Sequence, residues 1–175
     1  ITSSMDIGEH PGCNRGNLYI LSNADSVRMY KNDRFIKEYR PEMSPYKHLK
    51  HGPILIDDFI GDALEKNERF RPKHAKEMAD AMNIVARGSL NHIPKRLYPT
   101  ALKLVLLYHI DFAEVTKLYT KYIGDWGGTA TVYRFDAIKD GKVIKSVTKE
   151  PVNGIRLQAE ADHTNLTEHH SYDVA

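Results

Sequence analysis

The sequence contains one cysteine, one tryptophan and almost no net charge. Cys13 has no second cysteine to pair with, so an internal disulfide is excluded and packing must stabilise the fold. We do not expect this lone thiol to act as a nucleophile. A formal net charge of +2 over 175 residues indicates no particular class of partner. No apolar run approaches the roughly 20 residues that span a bilayer, so we expect no membrane partner.

The first residues show no basic stretch followed by an apolar one, so we expect no signal peptide. A single cysteine permits a reducing compartment, and a cytoplasmic location is favoured. The segment 26–52 is more basic than the rest, but its charges are spread along alternating strands. That pattern is typical of a solvated sheet face rather than of a nucleic-acid footprint, so no nucleic-acid partner is expected.

Three short β-rich runs follow one another near the start of the chain: Leu18 to Leu21, Val27 to Lys31 and Arg34 to Tyr39. The residues between the first two runs favour a turn, and Asn32-Asp33 between the last two favours a tight hairpin. These patterns predict a three-stranded antiparallel meander.

From residue 54 the hydrophobic period changes from two to about three and a half, which indicates helices up to residue 124. Asp57 or Asp58 is expected to cap a first helix that ends near Glu68. A second helix begins at Pro72 and stops at Gly88, with a stripe of core residues on one face: Ala75, Met78, Ala79, Met82, Val85 and Ala86.

Two further helices are predicted between Pro99 and Gly124. In the third helix, which runs to Tyr108, Leu102, Val105 and Leu106 share an apolar face with Lys103 opposite, although the run from Leu104 is apolar enough to be buried on all sides. Asp111 caps the fourth helix, and its apolar stripe consists of Phe112, Val115, Leu118, Tyr119 and Tyr122. Such stripes usually form core, so the four helices are expected to pack together and rest on the sheet.

After residue 124 the pattern returns to β structure. Thr129 to Ile138 and Lys142 to Thr148 are joined across Asp140-Gly141, a strong hairpin signal. Ile155 to Ala161 alternates like a further strand, and Tyr172 to Ala175 is typical of the first residues of another. We therefore expect an α+β fold, an antiparallel β-sandwich interrupted by a four-helix insertion and incomplete at the C-terminus.

The corresponding segments are 1–53 (linker and first half of the sandwich), 54–124 (helical insertion) and 125–175 (second half). A sandwich that lacks strands would expose a sheet edge, which predicts some self-association into a homo-oligomer.

Few residues suggest chemistry. No P-loop, dinucleotide glycine pattern, zincin motif or nucleophile elbow is present. Asp6, Glu9 and His10 do not have the spacing of a metal site. Asn67-Glu68 resembles the Asn-Glu pair of some glycosidases, yet it lies at a charged helix end without a partner carboxylate. We expect no catalytic residue, no cofactor and no metal.

The candidate sugar-contacting residues are Trp126 and Tyr133, which could form a stacking platform for a carbohydrate. Burial at a core corner is the more frequent role of a lone tryptophan beside two glycines. This pair supports an alternative function, that of a carbohydrate-binding or protein-interaction module without catalysis.

Two segments resemble a known family. Asn17 to Ile36, with Ser22-Asn23-Ala24 at its centre, is similar to the stretch V-Y-S-N-A-x-x-V-x-L-x-x-N-G-K of immunoglobulin-like domains. Those domains follow the catalytic barrel in family-two glycoside hydrolases, the β-galactosidase family. Ala159 to Ala175 looks like a later segment of the same domain, A-D-x-T-x-L-x-A-D-G-x-D-x-A, in the same order. The helical segment departs from that pattern.

The resemblance implies that the sandwich is Ig-like and that the chain is a fragment of a β-galactosidase-like enzyme. Its function would be to support a catalytic barrel of the same polypeptide in the hydrolysis of β-galactosides. The catalytic glutamates of that family lie in the barrel, so no residue here inherits a catalytic role. Carbohydrate remains a candidate ligand.

Overall fold

The computed structural model describes residues 1–2, 5, 16–88, 94–108, 111–124 and 131–150. They form an α+β structure of antiparallel strands and helices. The strands are β1 (Tyr19–Ile20), β2 (Ser26–Lys31), β3 (Arg34–Tyr39), β4 (Ile54–Leu55), β5 (Tyr133–Lys139) and β6 (Lys142–Lys149). The α-helices are α1 (Ala63–Glu68), α2 (Pro72–Arg87), α3 (Tyr98–Tyr108) and α4 (Phe112–Tyr119), and α4 continues into a π-helical turn, Thr120–Gly124. Short 3₁₀ turns occupy Pro41–Met43 and Lys95–Leu97.

Four strands form one antiparallel sheet in the order β3-β2-β5-β6. Both predicted hairpins are confirmed. Asn32 and Asp33 have φ of 48° and 60°, and Asp140 and Gly141 have φ of 49° and 73°. Two successive residues with positive φ match the right-handed twist of the flanking strands, which is why Asn, Asp and Gly occupy these turns.

The predicted three-stranded meander is wrong at its first strand. β1 pairs with β4 instead of β2, with Tyr19 opposite Leu55 and Ile20 opposite Ile54. The backbone N–H of Ile56 also donates to Leu18 O at 2.9 Å. β2 has no free side for β1, because β3 pairs with β2 on one side and β5 on the other. The residues predicted to open the helical segment, 54 and 55, are therefore strand.

Helix α2 confirms its prediction. Pro72 occupies the first helical turn, and Gly88 ends the helix with its N–H donating to Ile84 O and Val85 O. The side chains that it buries are Ala75, Met78, Ala79, Met82, Asn83 and Ala86.

Helix α1 ends at Glu68 as predicted but begins later, at Ala63. Asp58 does not cap it. The Asp58 carboxylate instead accepts hydrogen bonds from the N–H groups of Ile60 and Gly61, each at 2.9 Å, and so closes a separate turn before the helix. Aspartate readily forms such local turns because its side chain is short enough to reach the backbone two or three residues on.

The predicted face of α3 is wrong for two of its leucines. Leu102 and Leu106 are each 60% exposed. Lys103, which was expected on the solvent side, lies against α2, where its Nζ is 2.5 Å from Glu77 Oε1. This ion pair fixes the side of α3 that faces α2, and the two leucines point away from it.

One continuous hydrophobic core joins the sheet and the helices. Met29 of β2 and Phe135 of β5 belong to the same cluster as Met78 of α2 and Leu118 of α4. Helices α1, α2 and α4 therefore share one core with the sheet. None of the helices in the described part of the chain is long and apolar enough to cross a membrane.

Candidate functional site

The candidate site is a cleft of about 1020 Å³. Its walls are α4 with its π-helical turn on one side, and α1 with the β2–β3 hairpin on the other. Two kinds of described residue line it. Polar and charged side chains come from Lys31, Asn32, Arg34, Asn67, Thr116, Lys117, Thr120, Lys121, Tyr122 and Thr131, and apolar ones from Ile36, Phe59, Ile60, Ala63 and Ala113.

Helix α4 presents one face to the cleft and the opposite face to the core. Ala113, Thr116, Lys117 and Thr120 recur at intervals of three and four residues, so they lie on one face of the helix. On the opposite face of the helix, Leu118 and Tyr119 are buried. The orientation begins at Asp111, whose Oδ1 accepts from the N–H of Glu114 at 2.6 Å and caps the helix as predicted.

A polar network joins the two walls, from α1 to the π-helical turn. Glu68 Oε1 lies 2.6 Å from Lys121 Nζ and accepts a hydrogen bond of 2.6 Å from the Tyr122 hydroxyl. Asn67 Nδ2 is 3.4 Å from the same hydroxyl. The hydrogen bonds from Lys121 and Tyr122 stabilise the ionised carboxylate, so the pKa of Glu68 is lowered from its usual value.

The hairpin side of the cleft carries two more cations. Arg34 donates from Nη2 to Asp62 Oδ1 at 2.6 Å and from Nη1 to Asn67 Oδ1 at 3.2 Å. Lys31 Nζ donates to Tyr122 O at 2.7 Å, which ties the end of β2 to the π-helical turn. The Arg34 contacts join the hairpin to α1 within one wall, and the Lys31 contact connects that wall to the other.

The floor of the cleft is apolar. Phe59 and Ile60 are 0% and 1% exposed, and the ring of Phe59 packs edge-on against Tyr133 with centroids 6.5 Å apart. Aromatic rings that are edge-packed and buried in this way present little face to a ligand. The floor therefore closes the cleft from below and offers a ligand no stacking platform.

The sequence-predicted sugar platform is not assembled by the described residues. Trp126 lies outside them. Tyr133 is 0% exposed, and its ring contacts Phe59 and lies 5.5 Å from Lys31 Nζ. Tyr133 therefore contributes to the core beneath the cleft, and sugar contact by this pair stays a prediction.

Of the other residues considered for chemistry, the structure describes Asn67 and Glu68. Asn67 lines the cleft, and Glu68 lies beside it in the network above. Asp6, Glu9, His10 and Cys13 lie outside the described residues. Within the described ranges, no group of three His, Cys, Asp or Glu side chains could hold a metal ion.

Sequence reasoning missed the cleft. A signal for it was present in α4, where small or polar residues recur at helical spacing on the side opposite the apolar stripe. That spacing identifies a solvent-facing side, but it cannot reveal that the β2–β3 hairpin stands across from it.

Comparison of the chain with models of protein families, with curated proteins and with solved structures found no match. The fold and the geometry of the cleft therefore stand on the chain's own residues. The lining groups are cations, amides and hydroxyls, which are the groups that orient small polar ligands in proteins.

Proposed function

We propose that the chain is a non-catalytic accessory region of a β-galactosidase-like glycoside hydrolase. In this proposal the β segments build an Ig-like sandwich, the helices are an insertion into it, and the whole supports a catalytic barrel in the same polypeptide. The parent enzyme would hydrolyse β-galactosides with retention, through two carboxylates of the barrel.

The observation that carries the proposal is the pairing of β2 with β5. Six residue pairs join these strands in register, from Ser26 opposite Ile138 to Lys31 opposite Tyr133. All four α-helices of the described chain lie between these two strands in sequence. Neighbouring strands separated by a long helical segment are what an insertion into one β-domain requires. β2 lies in the segment predicted to form the first half of the sandwich (1–53), and β5 lies in the segment predicted to form the second half (125–175).

A second observation supports the sandwich. The β1–β4 ladder is separate from the four-stranded sheet, yet Ile20 and Ile54 belong to the same hydrophobic core as Met29 and Phe135. A sandwich requires two antiparallel ladders that contribute to one core, and these two do so.

The surroundings of Glu68 support a supporting role rather than a catalytic one. A glycosidase acid must keep its proton near neutral pH, which requires a raised pKa. Glu68 has the opposite tendency, because Lys121 and Tyr122 stabilise its ionised form and lower its pKa. The Asn67-Glu68 pair is thus better suited to holding the cleft wall than to donating a proton.

The coding sequence upstream of Ile1 tests this proposal. We expect it to encode a (β/α)₈ barrel with two glutamates at strand ends, one of them preceded by asparagine. An upstream sequence that encodes an unrelated domain would overturn the proposed parentage.

A further inference from the structure

Cationic side chains outnumber carboxylates in the described lining of the cleft. Of its described lining residues, Lys31, Arg34, Lys117 and Lys121 are cationic and none carries a carboxylate. The carboxylates that pair with Arg34 and Lys121 belong to Asp62 and Glu68, outside the described lining. Because opposite charges attract most strongly where solvent is partly excluded, this lining favours an anionic ligand.

The uncharged groups of the cleft favour a ligand with many hydroxyls. Asn32 and Asn67 supply side-chain amides, and Thr116, Thr120 and Thr131 supply hydroxyls. Each of these groups can pair with a ligand hydroxyl, which both donates and accepts. Ala113 of α4 is the exposed apolar residue of the described lining, and its methyl group can contact the C–H face of a sugar ring.

The aromatic residues of the described lining argue against a nucleotide. Phe59 is fully buried and Tyr122 is 8% exposed, with its hydroxyl on Glu68. A nucleobase is usually held by stacking on an exposed ring, and neither of these two rings offers one.

We propose that the cleft binds an acidic saccharide, that is, a sugar carrying a carboxylate. Lys117 and Lys121 of α4 and its π-helical turn attract the acid, the amides and threonines hold the hydroxyls, and Ala113 contacts the ring. A volume of about 1020 Å³ is at the upper end for small-molecule clefts and accommodates more than one sugar unit. This inference does not rest on the supporting role proposed above.

Titrations of the ¹⁵N-labelled chain with galacturonic acid, galactose and acetate, followed by NMR, test the proposal. Galacturonate and galactose differ in the carboxylate, and acetate has the carboxylate without the ring. We expect galacturonate to bind at least about tenfold more tightly than either, a difference of about 1.4 kcal/mol. The backbone signals of Thr116 and Lys117 should shift, and added salt should weaken galacturonate binding.

Lys117→Glu is the informative variant, because Lys117 is exposed and reversing its charge removes attraction without emptying the core. Its matched control is Lys73→Glu, the same charge change at an exposed position on α2 outside the described lining. We expect about a tenfold loss of galacturonate affinity for the first and less than about a twofold change for the second. Lys117→Gln should fall between them and provides a milder variant.

Three results would each overturn the proposal. The first is equal affinity for galacturonate and galactose, or for galacturonate and acetate. The second is an equal effect of the two charge reversals, which would indicate general surface attraction. The third is an absence of galacturonate binding up to millimolar concentration by a chain whose spectrum shows it folded. None of these results bears on the upstream coding sequence, so the two proposals fail separately.

Discussion

Asn83 is a buried amide that connects helix α2 to the turn before α1. It is 3% exposed. Its Oδ1 accepts from the N–H of Phe59 at 2.9 Å, and its Nδ2 donates to Asp58 Oδ1 at 2.9 Å. Because the same Asp58 oxygen also accepts from Ile60 and Gly61, one amide holds the whole turn against the helix. We predict that Asn83→Ala is strongly destabilising.

The magnitude follows from the groups left behind. A buried backbone N–H without an acceptor costs about 1 to 3 kcal/mol, and this applies to Phe59. The lost hydrogen bond to the Asp58 carboxylate adds about 1 kcal/mol, since that oxygen keeps two backbone donors. The expected loss in the free energy of unfolding is therefore about 2 to 4 kcal/mol. For a chain of this length it corresponds to a fall in Tm of about 4 to 16 °C.

Urea unfolding followed by circular dichroism measures this loss. The midpoint should fall while the m-value stays constant, because the surface exposed on unfolding is unchanged. Lys73→Ala on the exposed side of the same helix is the control and should stay within about 0.5 kcal/mol of wild type. If Asn83→Ala also stays within that range, the amide does not hold the turn and the reasoning is refuted.

Two further predictions concern acid stability and backbone strain. Because the pKa of Glu68 is lowered in the folded state, its pairing with Lys121 stabilises the fold at pH values above the ordinary carboxylate pKa of 4.5. This stabilisation is lost as the pH falls through the lower pKa of the folded state. The urea midpoint should therefore fall less between neutral and acidic pH in Glu68→Gln than in wild type. An equal fall in the two proteins would contradict this prediction. Gly61 has φ of +60°, and an added Cβ would lie 3.3 Å from Ile36 Cα. Gly61→Ala should therefore lower the free energy of unfolding by more than the cost of about 1 to 2 kcal/mol for a left-handed alanine alone. Gly16 has φ of +64°, and no described residue lies within 4 Å of an added Cβ, so Gly16→Ala isolates the backbone cost in the same urea assay. Equal losses of stability in the two variants would show that the close approach to Ile36 has no effect.

The elements that were predictable from sequence are those set by near neighbours. Asn32-Asp33 and Asp140-Gly141 carry the backbone preference of a hairpin turn within two residues. Helix α2 has a proline start, a glycine stop and a regular apolar stripe, all within its own length. Such local signals do not depend on what the rest of the chain does.

The elements that were not predictable are set by distant partners. β1 is only two residues long, and its partner β4 lies 35 residues further on, so nothing local distinguishes that pairing from pairing with β2. The orientation of α3 depends on the contact between Lys103 and Glu77 of another helix. The cleft likewise forms where α4 faces the hairpin, and the sequence of neither segment indicates where the other segment lies.

Hydrolysis of a chromogenic β-galactoside tests the proposed non-catalytic role most directly. It should be measured for the chain alone and for the same chain extended upstream through the region that precedes Ile1. We predict that the chain alone gives no turnover above blank, and that the extended polypeptide hydrolyses the substrate with retention of configuration. Turnover by the chain alone, well above blank and reproducible after repurification, would contradict the supporting role.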